Sequence, residues 1–159
     1  MIAILVDTSF LISFADPNRK HHAIAVQYFR EALRLGAPLY LSVIAISEFQ
    51  VKQAVDDLPM RNFEVLPFNH DHAVKAGLLM RDLHHDAGDN RQGVKDDIKL
   101  IAQADCESLT HILTDDAQSP VNYLRRFNHA GRCQVKSILL ADGFDAAWFN
   151  NGQRGLPGT

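Results

Sequence analysis

Four acidic positions stand at points in the chain where packing gives no reason for an acid. Asp7 ends the apolar run Ile2–Val6. Glu48 lies one to two turns into a helical segment that opens at Ser42. Asp96 and Asp97 begin the segment DDIKLIAQA, and Asp115 and Asp116 follow His-Ile-Leu-Thr at residues 111–114. Several carboxylates brought together without cations repel one another, and some must stay protonated. A hard divalent cation, Mg²⁺ or Mn²⁺, relieves that conflict, because such ions prefer carboxylate and water oxygens. A cation of this kind can activate water, neutralise a phosphate and stabilise a leaving oxygen. The chemistry that fits best is hydrolysis of a phosphodiester by in-line attack of water.

Each acid also has a plainer explanation. Asp96 or Asp97 can cap a helix and favour its dipole. Asp115 or Asp116 can be a turn residue. Glu48 can lie on a solvated helix face, although Ile44, Ile46 and Phe49 around it are apolar. Asp7 is the hardest to explain this way, and the joint pattern is more specific than any member.

The elements that must position these acids follow from hydrophobic pattern and punctuation. Met1–Val6 is continuous and apolar, as a strand buried on both faces should be. A short helix over Ser9–Phe14 ends at Asp16-Pro17-Asn18, and a second spans His22–Leu35 with Gly36 as its stop. Pro38–Leu41 reads as a second strand, followed by a helix capped by Ser42 and running to about Val55. Phe63–Phe68 (FEVLPF) alternates, and Pro67 marks it as an edge strand. Asp71–His84 is a helix and His85–Gly93 a mobile loop. Lys95–Leu109 is an amphipathic helix with Asp96 and Asp97 in its first turn. His111–Leu113 is a strand, Ser119–Asn128 a helix and Gln134–Leu139 a last strand. Strand and helix alternate throughout. The expected fold is therefore a three-layer α/β/α sandwich around a mainly parallel sheet. In such a sheet, strand C-termini and the helix N-termini that follow share one edge, where ligands bind. The acids can converge there.

The four segments VDTSFLISF, SVIAISEF, DDIKLIAQA and ILTDD, in this order, resemble the PIN domain family, most closely the small prokaryotic ribonucleases of the VapC toxin type. The likeness runs from about Ile2 to Leu139. It implies a PIN-like domain over residues 1–149; the Gly-rich stretch NNGQRGLPGT at 150–159 reads as a flexible tail. It also implies an Mg²⁺- or Mn²⁺-dependent endoribonuclease, the toxin of a toxin–antitoxin pair. Its metal-holding acids would be Asp7, Glu48, Asp97 and Asp116, with Asp96 and Asp115 as the alternatives at the last two places. Thr8 and Ser9 match the family's small hydroxyl residues beside the first acid. Lys95, Lys99, Arg91 and Arg125 are the rim cations that phosphates could meet. The implied partners are an RNA substrate, an antitoxin protein and a second copy of the chain. The stretch between Glu48 and FEVLPF is short, however, and lacks the extra helices by which many toxin relatives dimerise and meet their antitoxin.

Composition bounds the alternatives. The 159 residues carry a net charge of -3, so no global basic field advertises nucleic-acid binding. Cys106 and Cys133 lack CxxC spacing and read as free thiols of a reducing cytoplasm. No secretory leader is recognisable and no apolar stretch approaches the ~18 residues of a membrane helix, so a cytoplasmic protein is expected. The eight histidines show neither HExxH nor a Cys/His ligand framework, which argues against zinc. A phosphoacceptor receiver domain needs an acid at the end of its third strand, and here that strand ends in Phe68-Asn69. The main competitor is a catalytically inactive PIN-like module that binds RNA or protein. The aromatic segment Ala141–Phe149 either packs back on the core or covers an interface.

Overall fold

A computed structural model describes residues 1–83 and 91–158, with only the backbone of 91–93. The His85–Gly93 loop expected above falls almost wholly outside the described residues. The five strands are β1 (Ile4–Val6), β2 (Leu39–Ser42), β3 (Glu64–Leu66), β4 (His111–Thr114) and β5 (Lys136–Leu139). They form one sheet in the order β3-β2-β1-β4-β5, and every pairing is parallel. The FEVLPF strand is indeed an edge strand.

Alternate residues of the central strands face opposite layers, as the period of two requires. Ile4, Val6, Leu39, Leu41 and Leu113 join a core with α1 (Thr8–Ala15), α2 (His22–Leu35) and α3 (Val43–Gln50). Leu5 and Ile112 join a second core with α4 (His70–Arg81), α5 (Arg91–Cys106) and α6 (Val121–His129). Helices therefore cover both faces, giving the three-layer sandwich. Ser42 caps α3, its hydroxyl accepting the Ile44 N–H at 3.0 Å. Gly36 closes α2 in the left-handed region at φ 67°, a conformation that costs a glycine little. Among the described residues no helix is long and apolar enough to cross a membrane.

Two expectations need correction. The helix after β2 stops at Gln50, not near Val55, and two single 3₁₀ turns at Val55–Asp57 and Met60–Asn62 lead into β3. No α-helix fills that connection. The fifth helix already includes Arg91, so Gly93 does not hold its start back to Lys95. Asp96 and Asp97 consequently lie beyond the first turn, past the reach of end-capping. The first residues of the expected tail, from Asn150, make contacts with the rest of the chain. They enter α7 (Ala147–Asn151), the Gly152 carbonyl meets His111 Nε2 at 3.0 Å, and the Gly155 N–H donates to Asp145 at 2.7 Å.

The aromatic segment packs back. Phe144, Trp148 and Phe149 lie against the first core. Tyr28, fully buried, anchors them: its hydroxyl donates to the Gly143 carbonyl at 3.0 Å and accepts the Asp145 N–H at 3.1 Å. Burial pushes the phenol up to about 12, so it stays a donor at any physiological pH. Tyr28→Phe strands both backbone groups. We predict a loss of about 1–3 kcal/mol, read as a lower urea midpoint at unchanged m-value; an unaltered midpoint would show that the segment is not held through Tyr28.

Candidate active site

The strand order reverses at β1 and β4. The chain leaves β1 for one layer and leaves β4 for the other, which opens a crevice between their carboxyl ends. Asp7 stands at that point, 3% exposed, as the N-cap of α1. Its Oδ1 accepts the Phe10 N–H at 2.9 Å and the Ser9 hydroxyl at 2.7 Å. The same Ser9 oxygen accepts the Asp115 N–H at 2.8 Å and lies 3.1 Å from the Thr114 hydroxyl. Thr114 Oγ1 accepts the Asp116 N–H at 3.1 Å. Two hydroxyls thus bolt the end of β1 to the end of β4, with an acid on each side.

The other acids reach this crevice from three elements. Asp97, half-buried on α5, accepts the Ser119 hydroxyl, which belongs to the loop before α6. It also feels the charges of Asp7, Asp116 and Glu48. Asp116 is exposed, and its Oδ1 accepts the Gln118 and Ser119 N–H groups at 2.9 and 3.2 Å. Glu48 is exposed at the mouth, on α3. Asp7, Glu48, Asp97 and Asp116 therefore form one electrostatic cluster.

The remaining two acids are turned differently. Asp96 presses on Glu48 with its charge while standing 3.9 Å from Lys99 in the next turn. Asp115 faces α1 and α2. It accepts the Ser13 hydroxyl, and its Oδ1 lies 2.6 Å from His21 Nδ1. Of the expected rim cations, Lys99 is engaged with Asp96, and Arg125 lines a separate hollow with Lys136 beside β5. Lys95 is exposed on α5, and the Arg91 side chain lies outside the described residues.

The acids carry the mark of crowding. Burial raises Asp7 to about 6, against hydrogen bonds from Thr114, Phe10 and Ser9 that pull it down, while the Asp116 charge adds to the rise. Burial likewise raises Asp97 to about 7; Ser119 opposes the rise, and the neighbouring carboxylates reinforce it. Glu48 is raised by partial desolvation and by Asp96. Among the described residues the buried Thr8 hydroxyl has no partner at hydrogen-bond distance, yet it lies near enough to Glu48 to favour that carboxylate's charged form. A hydroxyl left open among hard oxygen donors, beside acids held partly protonated, fits a hard divalent cation. Among the described residues no three of these groups already stand in ligand geometry around one point.

Sequence reasoning named Thr8 and Ser9 but missed Ser119, Thr114, Ser13 and His21. Ser119 and His21 contact acids 22 and 94 residues away, and no local pattern announces such pairs.

An α/β chain with acids gathered at its topological switch point is the class this geometry defines. The PIN domain family model matches residues 4–121, and the chain belongs to that family. Solved structures share the fold at low identity. DNA-bound VapBC2 of Rickettsia felis matches with a TM-score of 0.59 and 14% identity, over 86% of this chain and 98% of that one. DNA-bound VapBC of Salmonella typhimurium matches at 0.57 and 16%, over 88% and 99%. VapC20 of Mycobacterium tuberculosis, a Sarcin-Ricin loop cleaving toxin, matches at 0.56 and 18%, over 84% and 99%. No curated protein matches the sequence.

The raised Asp7 gives a pH-dependent prediction. Its folded value of about 6 exceeds the ordinary aspartate value of 3.8, so the native state binds more protons between those values. Stability therefore falls as pH rises through that window, by up to about 3 kcal/mol once Asp7 is ionised. Asp7→Asn removes this titration and keeps an N-cap oxygen for Phe10. Without divalent cations, the variant should match the wild type near pH 4 and melt higher at pH 8. Scanning calorimetry at the two pH values decides it; a lower melting temperature at pH 8 refutes the crowding.

Proposed function

We propose that this protein is an Mg²⁺- or Mn²⁺-dependent endoribonuclease acting in the cytoplasm as the toxin of a toxin–antitoxin pair. The observation that carries it is the gathering of Asp7, Glu48, Asp97 and Asp116 at the β1–β4 crevice, with Asp7 and Asp97 pushed up to about 6 and 7. Membership of the PIN family supports it, as does the fold shared with a Sarcin-Ricin loop cleaving toxin and with VapBC pairs. Those relatives also motivate an antitoxin as partner. A homodimer belongs to the same proposal, although the short connection after α3 would have to build its interface elsewhere.

In this reading the four carboxylates hold the cation directly or through water, with Asp96 behind Glu48. A bound Mg²⁺ or Mn²⁺ supplies the charge that admits a phosphodiester to an acidic crevice and makes water nucleophilic near neutral pH. The chain's own groups prepare the place. Ser9 and Thr114 fix the Asp7 carboxyl, and the N–H groups of Gln118 and Ser119 fix Asp116. Ser119 occupies Asp97 Oδ2, leaving Oδ1 for the cation or the attacking water. Asp115 is not assigned to the cation, because Ser13 and His21 take its oxygens.

Asp7→Asn, Asp97→Asn and Asp116→Asn should each lower kcat for cleavage of single-stranded RNA on the order of 10²-fold or more. The circular dichroism spectrum should stay that of the wild type. Mn²⁺ titration by calorimetry should show binding to the wild type and its loss in Asp7→Asn. RNA binding without cleavage by the wild type would instead identify the inactive module.

A further inference from the structure

A hollow of about 190 Å³ lies between α1 and α3, and Glu48 belongs to its wall as well as to the acid cluster. Ile12 and Phe49 give it an apolar side. Arg19, from the connection between α1 and α2, and Lys52, just past α3, bring cations to it, and Gln53 adds an amide. Both cations and Gln53 are exposed. The hollow is smaller than the roughly 300–1,000 Å³ of pockets for drug-sized ligands, so it suits one base or ribose rather than a larger molecule. At 1.5 Å per residue, Ile12 on its wall stands about 7.5 Å along α1 from the N-cap Asp7.

We propose that this hollow is a nucleotide subsite for single-stranded RNA, seating a nucleotide next to the scissile phosphate. The apolar side takes the face of a sugar or base, and Arg19 and Lys52 take the flanking phosphates. The assignment rests on the nuclease reading for its place beside a scissile bond. It stands on its own chemistry for RNA binding. In a chain of net charge -3, two cations line a partly apolar hollow whose wall includes Glu48 of the acid cluster. A polyanion needs that combination to approach the acids. Asp16 also lines the hollow, 3.8 Å from Arg19, but both side chains are about half exposed. Such a pair is weak and yields to a phosphate.

The test is binding of a short fluorescent single-stranded RNA to the Asp7→Asn protein, which does not cut it, at a series of salt concentrations. Each phosphate contact on a single strand contributes about 0.7 to the slope of log K against log salt. Arg19→Ala with Lys52→Ala should reduce that slope by about 1.4, and Lys52→Glu should weaken binding further. Arg34→Ala, an exposed cation paired with Glu31, should leave the slope as it was. In the Asp7-intact enzyme, the double variant should raise KM more than it lowers kcat. Equal slopes in parent and double variant overturn the subsite and leave the nuclease reading intact. A lost slope in a protein whose wild type never cuts RNA keeps the subsite and overturns the nuclease reading. No RNA binding by the Asp7→Asn protein, together with an unchanged KM for the double variant of the Asp7-intact enzyme, overturns the subsite outright.

Discussion

A buried carboxyl at the end of a central strand is costly unless something compensates it, and the architecture around Asp7 follows from that cost. The Phe10 N–H and the Ser9 hydroxyl reach one oxygen, and the Thr114 hydroxyl on the neighbouring strand stands near enough to favour the charged form. These bonds do not bring the acid back to its ordinary range, because burial outweighs them and Asp116 adds repulsion. A structure selected for stability alone would place an amide or an apolar group here. The retained acid stores an electrostatic demand that a cation satisfies, and Asp97, higher still, shares that demand.

The sheet order turns this local demand into a shared one. Since β1 and β4 are neighbours and the chain leaves them for opposite layers, their ends cannot be covered by one helix. The gap receives Asp7 from one strand, Asp116 from the other, Glu48 from α3 and Asp97 from α5. The Asp7 N–H bonds the Leu113 carbonyl at 3.2 Å, so the acid-bearing ends are locked in register by backbone as well as hydroxyls. The two cores beneath fix the strand heights, and with them the relative placement of acids that lie far apart in sequence.

What the sequence made legible was whatever has a period or a local stop. The buried strand into Asp7, the Ser42 cap, the Gly36 stop and the Pro67 edge are short-range effects, and each appears in the structure. The sequence makes Gly93 look like a boundary, but α5 runs through it. A glycine inside a helix costs only about 1 kcal/mol, which packing of Ile98, Ile101 and Ala102 can offset. The difference matters for the site. A boundary at Gly93 places Asp96 and Asp97 where helix capping could explain them, whereas beyond the first turn capping cannot. The choice between the two acids was beyond local reasoning, since it depends on Ser119 reaching Asp97 from the loop before α6.

The pair Asp115 and Asp116 shows why adjacent acids need not share a task. Successive residues leaving a strand point to opposite sides. Asp115 turns to the α1–α2 side, where Ser13 and His21 hold it, and Asp116 turns to the crevice, where two loop N–H groups hold it. The first tethers the β4 end to the helical layer carrying Asp7; the second adds charge to the cluster. Exchanging their roles would require rotating the strand end, which would break the Ser9 bond to the Asp115 N–H and the Thr114 bond to the Asp116 N–H together. The two-hydroxyl bolt that steadies Asp7 therefore also decides which of the two acids faces the site.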